Sequence, residues 1–264
     1  MQNTKRRWLG GALFLNVLFA SVGPVSAAES SLESWIRTQS DRSLDRVYKA
    51  ISPADGALGS VMASPSRSEP NYYFHWIRDA ALVMREVWAF RKAEPKLSRE
   101  ILMDYAIFSR KNQITSNWSG EGDGRGVGEP KFHMDGRAFN EGWGRPQNDG
   151  PALRASTLID LADDMMMSGK QDFVYKYLYS PEMPARTVIK KDLEYVAHHW
   201  HEASFDLWEE VKGDHFYTRM TQWRALEDGA VFAKKMGDPE AAKFYRAQAI
   251  QIMEKLAAET LPQG

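Results

Sequence analysis

The sequence predicts an all-α protein that is built from consecutive helix hairpins. Apolar residues recur at the i, i+3, i+4 spacing of amphipathic helices in one segment after another. The alternation of apolar and polar residues that is typical of strands is scarce. Because loops interrupt the helical pattern at intervals, we expect antiparallel hairpins, and arrays of such hairpins stack into solenoids or close into toroids.

Seven helices are predicted in chain order, each from a stripe of apolar residues on one side. The first three are 32–51 (Leu32, Ile36, Val47), 76–91 (Ile77, Met84, Val87) and 97–111 (Ile101, Tyr105, Phe108). The last four are 151–167, 185–201 (Ile189, Leu193, Val196), 216–236 (Met220, Trp223, Leu226) and 240–258. Pro151 supports the start of the fourth helix, since proline is favoured at a first helical position.

Three loops, 70–79, 119–150 and 202–214, are rich in tryptophan, glycine and charged residues. Each precedes a helix that is separated from the next such helix by at least one return helix. An antiparallel array therefore places all three loops at the same end. Functional residues are found disproportionately on such loops, while the helices hold the loops in position.

The N-terminal residues follow the order of a secretory leader. Residues 1–7 are basic, an apolar run covers 8–22, and small residues precede Glu29. We expect residues 1–28 to be a signal peptide and residues 29–264 to form the mature domain. The apolar run of about 15 residues is shorter than the ~20 needed to span a bilayer. The protein is therefore expected to be exported, periplasmic or secreted, and to have no membrane association after leader cleavage.

Composition excludes several functional classes. The net charge of −1 argues against nucleic acid or an anionic membrane surface as a partner. The absence of cysteine excludes thiol catalysis and zinc–thiolate sites. His198, His199 and His201 form the one histidine cluster, but neighbouring side chains on a helix diverge, so no metal site is predicted. No cofactor is expected.

The first motif that indicates chemistry is the pair Arg78 and Asp79 at a predicted helix start. A guanidinium fork beside a carboxylate that the helix dipole keeps ionised suits a clamp for vicinal hydroxyls. Tyr72 and Trp76 flank the pair as stacking surfaces. The alternative is a helix cap with a local salt bridge.

The second motif is Trp143, which stands between Gly142 and Gly144. Glycines let another chain segment or a ligand approach closely. The alternative is a tight loop buried at a helix start, where Asp149 acts as the cap.

The third motif is FDLWEEVKG, residues 205–213, which places Trp208 beside the adjacent acids Glu209 and Glu210. Like charges and burial both raise a carboxyl pKa, and we expect Trp208 to shield at least one of these acids from water. Such a carboxyl can keep its proton near neutrality and act as a general acid. The alternative is an exposed, solvated pair of glutamates.

Taken together and in order, four segments resemble the glucoamylase family, glycoside hydrolase family 15. They are YYFHWIRDAALVMR (72–85), GEPKFHMDG (128–136), GWGRPQNDGPALRA (142–155) and DLWEEVKGDHFYT (206–218). The resemblance implies about half of an (α/α)6 toroid, with the active site in a pocket at one end. It also implies an exo-acting, inverting hydrolase that releases β-D-glucose from the non-reducing ends of α-1,4-linked glucans or maltooligosaccharides.

The resemblance carries site residues over by position. It implies that Glu209 is the general acid and that Arg78 and Asp79 grip the hydroxyls of the terminal glucose. The remaining substrate contacts that it implies are Tyr72, Trp76, Trp143, Arg145, Leu207 through its carbonyl, Trp208 and Glu210. His75 and Ile77 depart from the small polar residues that the fungal enzymes have there, which affects the expected pocket shape.

The general base that the family requires has no counterpart in this sequence, and neither Asp79 nor Glu129 matches its position. We therefore expect a fragment of a longer enzyme, or a chain that a second chain completes, and we expect the chain alone to be inactive. Two alternatives stay open. A relative could act on trehalose, dextran or isomaltosaccharides, or the protein could be a non-catalytic glucan-binding protein.

Overall fold

A computed structural model describes residues 31–120 and 124–260 of the chain. The predicted signal peptide, 1–28, lies outside the described residues. The chain divides into two units at Lys49. In the first unit, α1 (Ser31–Lys49) is a helix without a buried residue, and Lys49 pairs with Asp45 across one turn at 2.6 Å.

The second unit begins at Ala50 and is predominantly helical, which confirms the predicted fold class. Its longer helices, with α1, match the seven predicted ones: α2 (Ile77–Ala89), α3 (Pro95–Ile114), α4 (Asp149–Met167), α6 (Val188–His199), α7 (Phe216–Lys235) and α8 (Pro239–Thr260). The sequence did not predict α5 (Gln171–Phe173), the π-helical turn Val174–Leu178, or the 3₁₀ turns Phe90–Lys92 and Arg125–Gly128. Segments this short cannot show a helical stripe.

In the described residues, two antiparallel pairs of two-residue strands connect parts of the loops. In the first, β1 (His75–Trp76) pairs with β2 (Lys131–Phe132), and Trp76 stands opposite Lys131. In the second, β3 (Ser204–Phe205) pairs with β4 (Lys212–Gly213). Two residues are too few for an alternating pattern, so the sequence did not indicate these strands.

The longer helices of the second unit form two layers. Helix α4 packs between α2 and α7, while α3, α6 and α8 pack behind this layer. The middle position of α4 explains its burial, and alanines at 152 and 155 let its neighbours approach closely. Gly229 does the same on α7, because a Cβ there would lie 2.6 Å from Leu193 of α6.

One buried ion pair joins α4 to α6. Arg154 donates from Nε and Nη2 to the two carboxylate oxygens of Asp192, at 2.7 and 2.6 Å, and both side chains are inaccessible to solvent. Gln113 of α3 donates to the same carboxylate at 2.7 Å. Because every charge is matched by hydrogen bonds, the desolvation cost of the pair is offset.

The N-terminal ends of α2 and α4 meet. Arg78 in the first turn of α2 lies 3.2 Å from Asp149 in the first turn of α4. Glu209, from the loop that precedes α7, lies 3.6 Å from the same guanidinium. The three loops therefore come together, as the sequence predicts. No helix in the described ranges is both long and apolar enough to cross a bilayer.

Candidate active site

The loop that carries Glu209 is the turn between β3 and β4. The Asp206 carboxylate caps it by accepting from the backbone N–H groups of Glu210 at 2.8 Å and Val211 at 3.0 Å. The hydrogen bond from the Val211 N–H lowers the pKa of Asp206. Glu209 has a φ of 66°, a left-handed conformation that is uncommon for a residue with a side chain. Such conformations are concentrated at functional sites.

The Glu209 carboxyl is held by groups from the two other loops. Its Oε1 accepts from the indole Nε1 of Trp76 at 2.6 Å and from Nε2 of Gln147 at 2.9 Å. Nη2 of Arg78 lies 3.6 Å from the same oxygen. Within the described residues, Oε2 accepts no hydrogen bond. The Glu209 side chain is 16% exposed, so the carboxyl is partly open to solvent.

The prediction that Trp208 shields this carboxyl from water is wrong. Trp208 is 75% exposed, and the indole that contacts Glu209 is that of Trp76, from a different loop. Glu210 is exposed as well, so the two adjacent glutamates do not share one desolvated environment. In a tight hairpin turn, successive side chains point to different sides, and adjacency in sequence therefore does not predict contact.

Arg78 links the acids of the site. Its Nη1 donates to Oε1 of Gln147 at 2.8 Å and lies 3.2 Å from Oδ2 of Asp149, which is buried. Its Nε lies 3.7 Å from Asp79. Desolvation raises the pKa of Asp79, while the charge of Arg78 opposes the rise. The local salt bridge that the sequence left as an alternative is therefore one part of a larger network.

Aromatic rings form one side of the site. We call Phe74, Trp76, Phe139 and Trp143 the aromatic cage, because their rings surround the ammonium group of Lys131. Its Nζ lies 3.2 Å from the ring centroid of Trp143, 3.7 Å from that of Phe139 and 4.7 Å from the other two. Burial lowers the pKa of Lys131 to about 8, although Glu209 acts in the opposite direction.

Two predicted wall residues adjoin Trp76. Tyr72 is 42% exposed, and its ring meets that of Trp76 edge-on at 5.8 Å. Trp143 meets Trp76 in the same way at 5.9 Å, and its buried Nε1 has no hydrogen-bond partner among the described residues. Gly144 next to it allows close approach, since a Cβ there would lie 2.8 Å from Phe205. No atom lies within 4 Å of the equivalent position at Gly142.

The guanidinium of Arg145 donates its hydrogen bonds to groups of the protein itself. Nε bonds Glu129 at 2.9 Å, Nη1 bonds the Glu141 carbonyl at 2.8 Å, and Nη2 bonds the Phe139 carbonyl. Ser119 also donates to Glu129, whose side chain is fully buried. Burial raises the pKa of Glu129, and Arg145 opposes the rise. The pair fastens the loop that carries Trp143, and a contact between Arg145 and substrate stays a prediction.

The other predicted contacts lie on the Glu209 turn. Leu207 is partly buried, whereas Trp208 and Glu210 are exposed. Their proposed contacts with sugar stay predictions. His75 and Ile77 lie in the core: Nδ1 of His75 accepts from the backbone of Val61, and burial lowers the pKa of His75 to about 3.

Sequence reasoning missed two residues of the site, Gln147 and Lys131. Both stand inside the segments that carry the family resemblance. The signal for Lys131 is a charged residue placed directly between the apolar residues Pro130 and Phe132. Gln147 had no such signal, because an isolated glutamine in a loop is normally solvated.

The comparisons with known proteins identify the family of the chain. Residues 41–264 match the model of the Glycosyl hydrolases family 15. A glucoamylase from Blastobotrys adeninivorans is 40% identical over 236 residues, which is 85% of this chain and 37% of that protein. A probable glucoamylase from Schizosaccharomyces pombe is 36% identical over 245 residues, 87% of this chain and 53% of that protein.

Solved structures give the same result. The glucoamylase from Saccharomycopsis fibuligera has a TM-score of 0.76 at 32% identity, over 85% of this chain and 49% of that one. The family 15 glucoamylase from Hypocrea jecorina has a TM-score of 0.77 at 34% identity, over 84% of this chain and 37% of that one. The fold is therefore part of an (α/α)6 toroid. The chain spans between 37% and 53% of the length of these two curated relatives, and it belongs to glycosyl hydrolase family 15.

Proposed function

We propose that this chain carries the proton-donor side of an exo-acting hydrolase that releases β-D-glucose from α-1,4-linked glucans with inversion. The observation that carries the proposal is the Glu209 carboxyl, which is fastened at Oε1 by Trp76 and Gln147 and has Oε2 unbonded by the described residues. A carboxyl held in this way can deliver a proton in one direction. The relatives that are named glucoamylases support an α-glucan as the substrate.

The neighbouring residues suit recognition of a terminal sugar. Asp79 offers a partly exposed carboxylate at the start of α2, where a helix N-terminus favours negative charge. Tyr72 and Trp143 present aromatic faces or edges beside Trp76, and flat apolar rings pack well against the C–H faces of a pyranose. We propose that these groups hold the non-reducing end of the glucan.

Inversion requires a second carboxylate, about 6.5–9.5 Å from the acid, that activates water on the opposite face of the sugar. Asp79 is already assigned to the terminal sugar, and the buried acids near Glu209 do not suit this role. Asp149 is buried and bonded to Arg78, and Glu129 is buried and bonded to Arg145. We propose that the base comes from a part of the family domain that the described residues do not include.

The reaction then proceeds in one displacement. The proton of Glu209 passes to the glycosidic oxygen, which keeps the electron pair of the breaking bond to C1. Water adds to C1 from the opposite side and gives its proton to the second carboxylate. Export of the enzyme, based on the leader at residues 1–28, remains part of the proposal.

The experiment tests the 264-residue chain on maltotriose, both alone and within the whole protein that its gene encodes, and proton NMR assigns the first anomer formed. We expect β-glucose from the full-length gene product and, if the base lies elsewhere, none from the 264 residues alone. Turnover by the 264 residues would refute the placement of the base. A preference for trehalose, dextran or isomaltose over maltose would change the substrate, and tight maltose binding without hydrolysis by the full-length product would indicate a glucan-binding protein.

A further inference from the structure

Gln147 lies between the arginine and the acid of the site. It is 2% exposed and stands just before α4. Its Nε2 donates to Oε1 of Glu209 at 2.9 Å and to the Gly144 carbonyl at 3.1 Å. Its Oε1 accepts from Nη1 of Arg78 at 2.8 Å. All of these contacts are within hydrogen-bonding distance, so the amide is held at both ends.

The chemistry of the partners fixes which way the amide faces. A guanidinium only donates, and therefore the amide oxygen of Gln147 has to face Arg78. The Gly144 carbonyl only accepts, so it has to face the amide nitrogen. Arg78 is itself held by the buried carboxylate of Asp149 at 3.2 Å. The N–H of Gln147 is thus directed at Glu209 independently of the protonation state of Glu209.

This arrangement distinguishes the two oxygens of Glu209. A carboxyl oxygen has two lone pairs, and Oε1 accepts two hydrogen bonds, from Trp76 and from Gln147. Both donors carry hydrogens that would collide with a proton on Oε1. A proton on the carboxyl therefore has to be on Oε2.

We propose that Gln147 is a positioning residue, which fixes the Glu209 carboxyl so that Oε2 carries and delivers the catalytic proton. The inference rests on the proposed function of Glu209 as the general acid. In the reaction, the O–H bond at Oε2 breaks and the proton joins the leaving sugar oxygen. Oε1 keeps both hydrogen bonds throughout, so the carboxylate that is formed stays in place until solvent returns a proton.

The kinetic test uses Gln147→Leu and Gln147→Glu in the full-length gene product. Gln147→Leu cannot donate to Oε1, and an ionised Gln147→Glu cannot donate either, although it still accepts from Arg78. Two substrates are compared: maltose, whose leaving group needs a proton, and α-D-glucosyl fluoride, whose leaving fluoride does not. We expect kcat on maltose to fall about 10- to 100-fold, the range for losing a hydrogen bond to a charged group, with glucosyl fluoride much less affected.

The matched control is Gln222→Glu. Gln222 is buried as well, and its oxygen accepts from Arg219 at 3.0 Å, but it has no contact with Glu209 among those described. We expect the same kcat ratio between the two substrates as in the unmodified protein. Equal losses on maltose and glucosyl fluoride in both Gln147 variants would overturn the inference, because general damage to the site affects both substrates.

A second measurement does not depend on activity. Nitrogen-15 NMR of the full-length gene product follows the side-chain amide of Gln147 and the indole N–H of Trp76. Glu209→Gly removes their shared acceptor, and we expect both signals to shift while that of Gln222 does not. An unchanged Gln147 signal contradicts the inference. If the unmodified protein hydrolyses neither substrate, the proposed function fails, and the NMR result still decides whether Gln147 holds Glu209.

Discussion

Trp76 and Glu209 are 133 positions apart in the chain, and the indole Nε1 of Trp76 donates to Oε1 of Glu209 at 2.6 Å. This hydrogen bond joins the loop before α2 to the loop before α7. The ring of Trp76 also contacts Tyr72 and Trp143 edge-on. One side chain therefore holds the candidate acid and supports the aromatic surface beside it.

Trp76→Phe separates these two tasks, because phenylalanine keeps an aromatic ring and loses the N–H. We expect kcat on maltose to fall by roughly 10-fold, in line with a hydrogen bond to a charged group. KM is expected to change less, since the apolar surface remains. Steady-state kinetics of the full-length gene product measure both constants. A raised KM with an unchanged kcat would show that the ring matters and the hydrogen bond does not.

At position 209 the backbone is left-handed, which favours glycine for stability, whereas the proposed function requires glutamate. A residue with a Cβ is disfavoured by about 1–2 kcal/mol in this conformation, whereas glycine is not. We therefore expect Glu209→Gly to be about 1 kcal/mol more stable to urea than Glu209→Ala. Glu210 is the control, since its φ is not positive, and there glycine is expected to be less stable than alanine. The same order at both positions would refute the argument.

The lowered pKa of Lys131 leads us to expect that the protein becomes more stable at alkaline pH. Its pKa is about 8 in the folded protein and 10.5 as the reference value for the unfolded chain. Between these values the unfolded chain binds more protons at this site, so the free energy of unfolding rises with pH. Urea unfolding from pH 7 to 10 measures this contribution as the difference between the unmodified protein and Lys131→Met.

We expect Lys131→Met to have its largest relative advantage at pH 7 and to lose that advantage towards pH 10. Lys212→Met is the control, because Lys212 also lies in a short strand but is exposed. Its stability curve is expected to run parallel to that of the unmodified protein. A parallel curve for Lys131→Met would mean that the cage does not depress the ionisation of this lysine.

Gly144 and Gly142 flank Trp143 and are expected to respond differently to alanine. A Cβ at 144 would lie 2.8 Å from the ring of Phe205, and one at 142 has no neighbour within 4 Å. Crowding of this kind typically costs 1–3 kcal/mol, so we expect a loss of about that size for Gly144→Ala and almost none for Gly142→Ala. Thermal unfolding checks both, and equal effects would argue against the close approach of β3.

Much of the fold could be predicted from the sequence, because helices of three turns or more leave a stripe of apolar residues. The meeting of the three loops followed from the antiparallel order of the helices. The contacts of Glu209 could not be predicted, since Trp76 and Gln147 reach it from other loops. Adjacency is the one relation visible in the sequence, and it points to Trp208 instead. Gln147 and Lys131 acquire their roles only through burial.

The most direct test of the account is the hydrolysis of maltose by Glu209→Gln in the full-length gene product. Glutamine preserves the size of the side chain and removes the acidic proton. General acid catalysis contributes typically 10²–10⁴-fold, so we expect kcat on maltose to fall by at least about 100-fold, with a much smaller loss on α-D-glucosyl fluoride. Glu182→Gln, at an exposed position, is the control and should retain activity. Hydrolysis of maltose by Glu209→Gln at the rate of the unmodified protein would contradict the assignment of Glu209 as the proton donor.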